Sequence, residues 1–115
     1  MKCFKERLTL EERCEESARI KEKYTDRIPV IVELGKNSNL PELDKHKFLV
    51  PNTLTVGQFL YVIRKRINLE HSHALFIFIN SVVPQISKSM QELYEKYKDE
   101  DGFLYTTINS ENTFG

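Results

Sequence analysis

With 115 residues, 40% of them hydrophobic and 30% charged, the chain has the size and composition of one globular domain with a modest core. Lys plus Arg balance Asp plus Glu at 17 each, so net charge selects no polyanionic partner. The charged start "MKCFKERLTLEERCEES" does not suit a secretory signal, and no apolar run is long enough to span a bilayer.

Residues 1–24 hold neither glycine nor proline and only sparse apolar positions: Leu8, Leu10, Cys14, Ala18 and Ile20. Thr9 and Glu12 have the Thr-x-x-Glu spacing of a capping box, which predicts a short helix before Thr9 and a longer one after it. So little apolar surface makes no core of its own, and these helices are expected to lie against another layer. "RIPVIVEL", Arg27 to Leu34, is dense in β-branched residues and reads as a strand, with Pro29 near its start. After the turn-rich "GKNSNLPELD", the segment "KHKFLVP", Lys45 to Pro51, predicts a second strand, antiparallel to the first.

In "NTLTVGQFLYVIRKRINL" the period changes. Val56, Phe59, Leu60, Ile63 and Ile67 fall at helical spacing behind a Thr55/Gln58 capping box. "ALFIFIN", Ala74 to Asn80, is almost continuously apolar and reads as a central strand buried on both faces. Met90, Leu93, Tyr94 and Tyr97 predict a further helix, with Gly102 as its exit, and "FLYTTI", Phe103 to Ile108, is the last strand. The class is therefore α+β. The order ββαβαβ is that of a ubiquitin-like β-grasp with a four-stranded mixed sheet, first and last strands side by side at its centre. Two additional N-terminal helices, residues 1–24, cover the other sheet face. The ubiquitin-like part spans 25–110, and 111–115 form a flexible tail, all within one compact domain.

Little in the chain suggests catalysis. No phosphate-binding glycine loop and no nucleophile with a base and an orienting group is present. Cys3 and Cys14 make no disulfide framework and fit a reduced cytosolic compartment. With His46, His71 and His73 they offer no short paired-ligand spacing beyond His71-x-His73, so no metal is expected. "RKR", Arg64 to Arg66, reads as a solvated helix face. "KFLV" is a short edge strand with Lys45 and Lys47 beside apolar residues: such lysines can block aggregation, or the edge can accept an extended peptide. The chain ends "ENTFG", and a final glycine is either a plain chain end or a carboxylate that no side chain shields.

Taken together, "KYTDRIPVIVE", "DKHKFLVPNTLTVGQFLYVIRKRI", "ALFIFINSVVP", "MQELYEKYKDEDGFLY" and the final "FG" closely resemble the autophagy ubiquitin-like modifiers. That family includes the GABA-receptor-associated proteins and the microtubule-associated light chains, and the resemblance runs from Phe4 to Gly115. It implies a modifier and not an enzyme. Gly115, preceded by the aromatic Phe114, would be activated by an ATP-dependent enzyme, passed to a carrier enzyme and joined to phosphatidylethanolamine. That covalent lipid stands in place of any cofactor. Members often carry residues beyond the glycine, removed by a cysteine protease.

The resemblance also implies docking of aromatic-x-x-aliphatic motifs with acidic flanks at the second strand. Glu16, Ile20, Pro29, Ile31, Lys47, Leu49 and Phe103 would line an aromatic pocket. Phe48, Val50, Pro51, Leu54, Phe59, Val62 and Ile63 would line an aliphatic one, and Arg27, Lys45, Lys47 and Arg66 would meet the acidic flanks. Implied partners are motif-bearing cargo receptors and the conjugation enzymes, with no nucleic acid and a monomeric state in solution. The implied location is the cytoplasm and, when lipidated, autophagosomal and other vesicle membranes. An alternative is an unconjugated trafficking adaptor using the same groove. Leu8-Thr9-Leu10, Gly102 before Phe103 and the polar "YTTIN" depart from the family pattern.

Overall fold

The computed structural model describes residues 3–36, 38, 40–70 and 73–110. Its elements, in chain order, are α1 (Phe4–Arg7), α2 (Leu10–Lys23), β1 (Arg27–Leu34), β2 (Lys47–Pro51), α3 (Val56–Arg66), β3 (Phe76–Phe78), α4 (Met90–Tyr97) and β4 (Leu104–Asn109). Local chemistry starts the helices as the sequence predicts. At α2 the Glu12 amide donates to Thr9 Oγ1 at 3.1 Å while the Thr9 amide donates to Glu12 Oε1 at 2.8 Å. At α3 the Thr55 and Gln58 amides make the same reciprocal bonds at 2.9 and 3.2 Å.

One four-stranded sheet has the order β2-β1-β4-β3. β1 is antiparallel to β2 and parallel to β4, and β3 is antiparallel to β4. The predicted β-grasp, with first and last strands adjacent at the centre, is what forms. Side chains alternate across the pleat and divide the core in two. Ile28, Val30 and Val32 face α3 and α4, joining Val56, Phe59, Ile63, Met90 and Leu93. Ile31 faces the N-terminal helices and packs with Phe4, Ile20 and Phe103. The Phe4 and Phe103 rings meet edge to face at 5.1 Å.

Three readings need correction. The third strand is not central: β1 and β4 are, and β3 is three residues long and lies at the edge, although Ile77 and Phe78, on opposite faces of it, are both buried as expected. Its apolar run ends early because Ile79 pairs with Val82 across a tight turn in which Asn80 and Ser81 both have positive φ. Gly102 is no helix exit, since α4 ends at Tyr97; it sits at φ 90° in the turn before β4. The second strand starts at Lys47, two residues later than predicted.

Carboxylates tie down the N-terminal layer. Hydrogen bonds from Cys3 hold the Glu6 carboxyl below the usual carboxylate range, and those from Thr9 do so for Glu12. Burial works to raise the Asp99 pKa, but the Lys5 ammonium at 2.7 Å and the Asp101 amide outweigh it and the net shift is downward. Depressed folded-state values mean stabilisation that is complete above the unfolded carboxylate pKa, about 4, and lost as pH falls through the lower folded values. Denaturant unfolding at neutral pH and at about pH 3 is expected to show this loss, with a smaller loss in Asp99→Asn.

Candidate functional site

β2 is an edge strand, and its register decides which backbone groups are free. The Val32 amide donates to the His46 carbonyl at 2.8 Å and the Asn52 amide to the Asp26 carbonyl at 2.9 Å. In an antiparallel ladder hydrogen-bonded pairs alternate, so Phe48 and Val50 bond inward to β1, and the N–H and C=O groups of Lys47 and Leu49 point to the open edge. Pro29, opposite Leu49, falls at a non-bonded pair, where its missing N–H costs the β1–β2 ladder nothing.

The side chains of the strand split between two sides. Lys47 and Leu49 lie toward α2, where Leu49 packs on the cluster of Ile20, Ile31 and Phe103. Ile31 and Phe103 are fully buried and form the floor, while Glu16, Lys47 and Leu49 retain exposure and form the rim. The Lys47 ammonium pairs with the Glu16 carboxylate, joining β2 to α2 across this side. On the opposite side, Phe48 and Val50 pack into the main core with Phe59 and Ile63, the two Phe rings edge to face at 5.8 Å. Pro51 and Leu54 are half-buried, and Val62 is 44% exposed. The sequence thus assigns both floor and rim residues: Phe59, Ile63, Ile31 and Phe103 support the surface from beneath and do not themselves face solvent.

All four cations assigned to acidic flanks sit near β2, each with an internal partner. Arg27 Nη1 donates to the Leu49 carbonyl at 3.2 Å, and Arg66 Nε donates to Asp44 Oδ1 at 3.2 Å. Lys45 Nζ stands 5.2 Å from the centre of the Phe48 ring. The Arg66–Asp44 pair is largely exposed, so exchanging Asp44 for a visiting carboxylate costs little. Phe114 and Gly115 lie outside the described residues, as does His71. Among the described residues no group of His, Cys, Asp and Glu is arranged to hold a metal ion, and no helix is long and apolar enough to cross a membrane.

Residues 12–115 match the family described as "Autophagy protein Atg8 ubiquitin like". The chain belongs to the Atg8 family. It is 54% identical to Autophagy-related protein 8d of Arabidopsis thaliana over 112 residues, 97% of this chain and 93% of the relative. Against Autophagy-related protein 8A of Oryza sativa subsp. indica the identity is 56%, over 97% and 94%. The crystal structure of Trypanosoma brucei ATG8 superposes with a TM-score of 0.92 at 48% identity, covering 100% of this chain and 99% of that one. Plasmodium falciparum Atg8, solved in complex with a Plasmodium falciparum Atg3 peptide, gives 0.89 at 40% identity, covering 97% and 98%. This Atg8 family member is accordingly a ubiquitin-like protein of autophagy.

Sequence reasoning missed a buried polar cluster beside the aromatic side of the groove. Asp101, whose side chain is fully buried, accepts from Arg13 Nη1 at 2.7 Å and from the Tyr105 hydroxyl at 2.5 Å. Burial, and then the Asp101 hydrogen bond, raise the Tyr105 pKa well above its ordinary value, so the phenol donates at any physiological pH. The cluster carries no local sequence signal, because Arg13 and Asp101 lie 88 positions apart. A cavity of about 380 Å³ between Cys3, Glu33, Glu42 and His46 adjoins the start of β2, and one of about 260 Å³ lies between Val83, Lys88 and Tyr97.

Proposed function

We propose that this protein is a modifier conjugated through Gly115 to phosphatidylethanolamine, and that once on the autophagosomal membrane it recruits cargo receptors bearing aromatic-x-x-aliphatic motifs. It acts as the substrate of the conjugating enzymes and not as a catalyst. The observation that carries the docking half is the open edge of β2. There the peptide groups of Lys47 and Leu49 face outward between two apolar-floored sides ringed by Arg27, Lys45, Lys47 and Arg66. An extended peptide adds main-chain bonds to such an edge and places alternate side chains to either side.

The aromatic anchor goes beside Leu49 over Ile20, Ile31 and Phe103, and the aliphatic anchor goes beside Pro51, Leu54 and Val62 over Phe59 and Ile63. Flanking acids exchange with Glu16 and Asp44 for Lys47 and Arg66, setting specificity and encounter rate more than affinity. Two buried anchors and a few main-chain bonds correspond to roughly micromolar affinity, about −8 kcal/mol. Clustering on a membrane raises the effective affinity.

Leu49→Ala is expected to weaken binding of a labelled motif peptide by about 1 to 3 kcal/mol, because Leu49 is the half-exposed apolar wall of the aromatic side. The same variant should fold normally, since Leu49 lies at the margin of its cluster. Unchanged affinity in a titration sinks the docking site. Conjugation is tested separately, by intact mass after incubation with the conjugating enzymes and lipid vesicles.

A further inference from the structure

α2 buries only Ser17 and Ile20, and Leu10 is 42% exposed. Apolar packing alone therefore leaves the angle and height of this helix loosely specified. Polar contacts hold it instead. Arg13 and Ser17 lie one turn apart on the face that also carries Glu16 and Ile20. Arg13 Nη1 donates to Asp101 Oδ2 at 2.7 Å, and the Ser17 hydroxyl donates to the Asp101 carbonyl at 2.5 Å.

On the strand side, the same Asp101 carboxylate accepts the Phe103 amide through Oδ1 at 2.8 Å and the Tyr105 hydroxyl through Oδ2 at 2.5 Å. The turn is also held from α4, where the Tyr94 hydroxyl donates to the Gly102 carbonyl at 2.7 Å, and from α1 by the Lys5–Asp99 pair. One buried carboxylate thus ties the helix that supplies Glu16 and Ile20 to the backbone that supplies Phe103. The first gives the α2 side of the aromatic part of the groove and the second its floor. The aliphatic side, built on β2 and α3, shares none of these bonds.

We propose that Arg13, Asp101 and Tyr105 are positioning residues which fix the gap between α2 and β4, and that this gap sets the preference of the groove for an aromatic side chain at the first anchor of a bound peptide. The proposal rests on the docking reading above. Breaking the lock lets α2 shift against Phe103, so the loss falls on the aromatic anchor. The aliphatic anchor, held by separate packing, keeps its contribution.

The test is titration of four labelled peptides, with Trp or Ala at the aromatic position and Leu or Ala at the aliphatic one, against the whole protein and its Tyr105→Phe and Asp101→Asn variants. Denaturant unfolding of each variant establishes that it is folded. In the variants the Trp-over-Ala affinity ratio is expected to fall by about fivefold or more, while the Leu-over-Ala ratio stays within about twofold of the wild-type value. Both ratios unchanged, or both reduced alike, overturns the lock as a determinant of aromatic preference. A wild-type protein with neither preference overturns the docking reading and the lock together. Tyr105→Phe removes a single hydroxyl and carries the test if Asp101→Asn does not fold.

Discussion

Incubated with ATP, an activating and a carrier enzyme of the Atg8 family and vesicles containing phosphatidylethanolamine, the chain is expected to gain the mass of one lipid less one water. A variant ending at Phe114 is expected to gain nothing. The reason is chemical. A terminal glycine presents its carboxylate with no side chain to obstruct a narrow enzyme channel or the approach of an amine. Ending at Phe114 puts a bulky β-substituent next to the reacting carbon and shortens the reach by one residue. The result matters for location, because among the described residues no helix can cross a membrane, while two acyl chains give stable residence where one is marginal. An absent adduct, in a reaction where a relative is conjugated, supports the soluble adaptor instead, with the same β2 edge as its working surface.

Gly102→Ala is expected to destabilise the protein by about 2 to 4 kcal/mol, from a left-handed backbone penalty and overpacking together. At this chain length that is a fall in Tm of roughly 10 to 20 °C. Gly102 has φ 90°, where a β-carbon is strained. An added Cβ also meets Ser17 Oγ at 2.4 Å and Ser17 Cβ at 3.1 Å. Ser17 cannot swing aside cheaply: it is 5% exposed and its hydroxyl is bonded to the Cys14 and Asp101 carbonyls. Relief therefore requires moving α2. Ser17→Gly is expected to cost less in the Gly102→Ala background than in the wild type, because it removes the clash and leaves only the backbone term. Equal cost in both backgrounds, measured by denaturant unfolding, refutes the contact as the cause.

The same glycine shows where sequence reading stops. Five positions beyond a helical run, a glycine looks like a helix exit, and nothing nearby distinguishes that from a turn wedged against a helix 85 residues earlier in the chain. The third strand was misread for a related reason. Leu75, Ile77 and Ile79 join the main core and Phe78 is buried on the other face, and apolarity alone does not report a position in the strand order. The β2 groove was legible further. Its edge position follows from the β-grasp order, and the split of Lys47 and Leu49 from Phe48 and Val50 follows from strand alternation, whereas the other lining residues are what the family resemblance implies. What could not be read was the engagement of its charges: Lys47 with Glu16, Arg66 with Asp44 and Arg27 with the Leu49 carbonyl join segments separated by 31, 22 and 22 positions.

By itself the sequence determined whatever has its cause within a few residues. The reciprocal caps at Thr9 and Thr55, the alternation of β1 and β2 and the periodicity of α3 are set by backbone geometry and neighbouring side chains. The order of elements carried the fold class, because few topologies suit ββαβαβ. Only the tertiary structure decided that the apolar third strand lies at the sheet edge, why Gly102 must be a glycine, and that Asp101 is a buried anchor shared by α2 and β4. Those features come from chain segments meeting after long separation. A buried carboxylate, in particular, looks like any surface acid until the arginine and tyrosine that satisfy it are brought alongside.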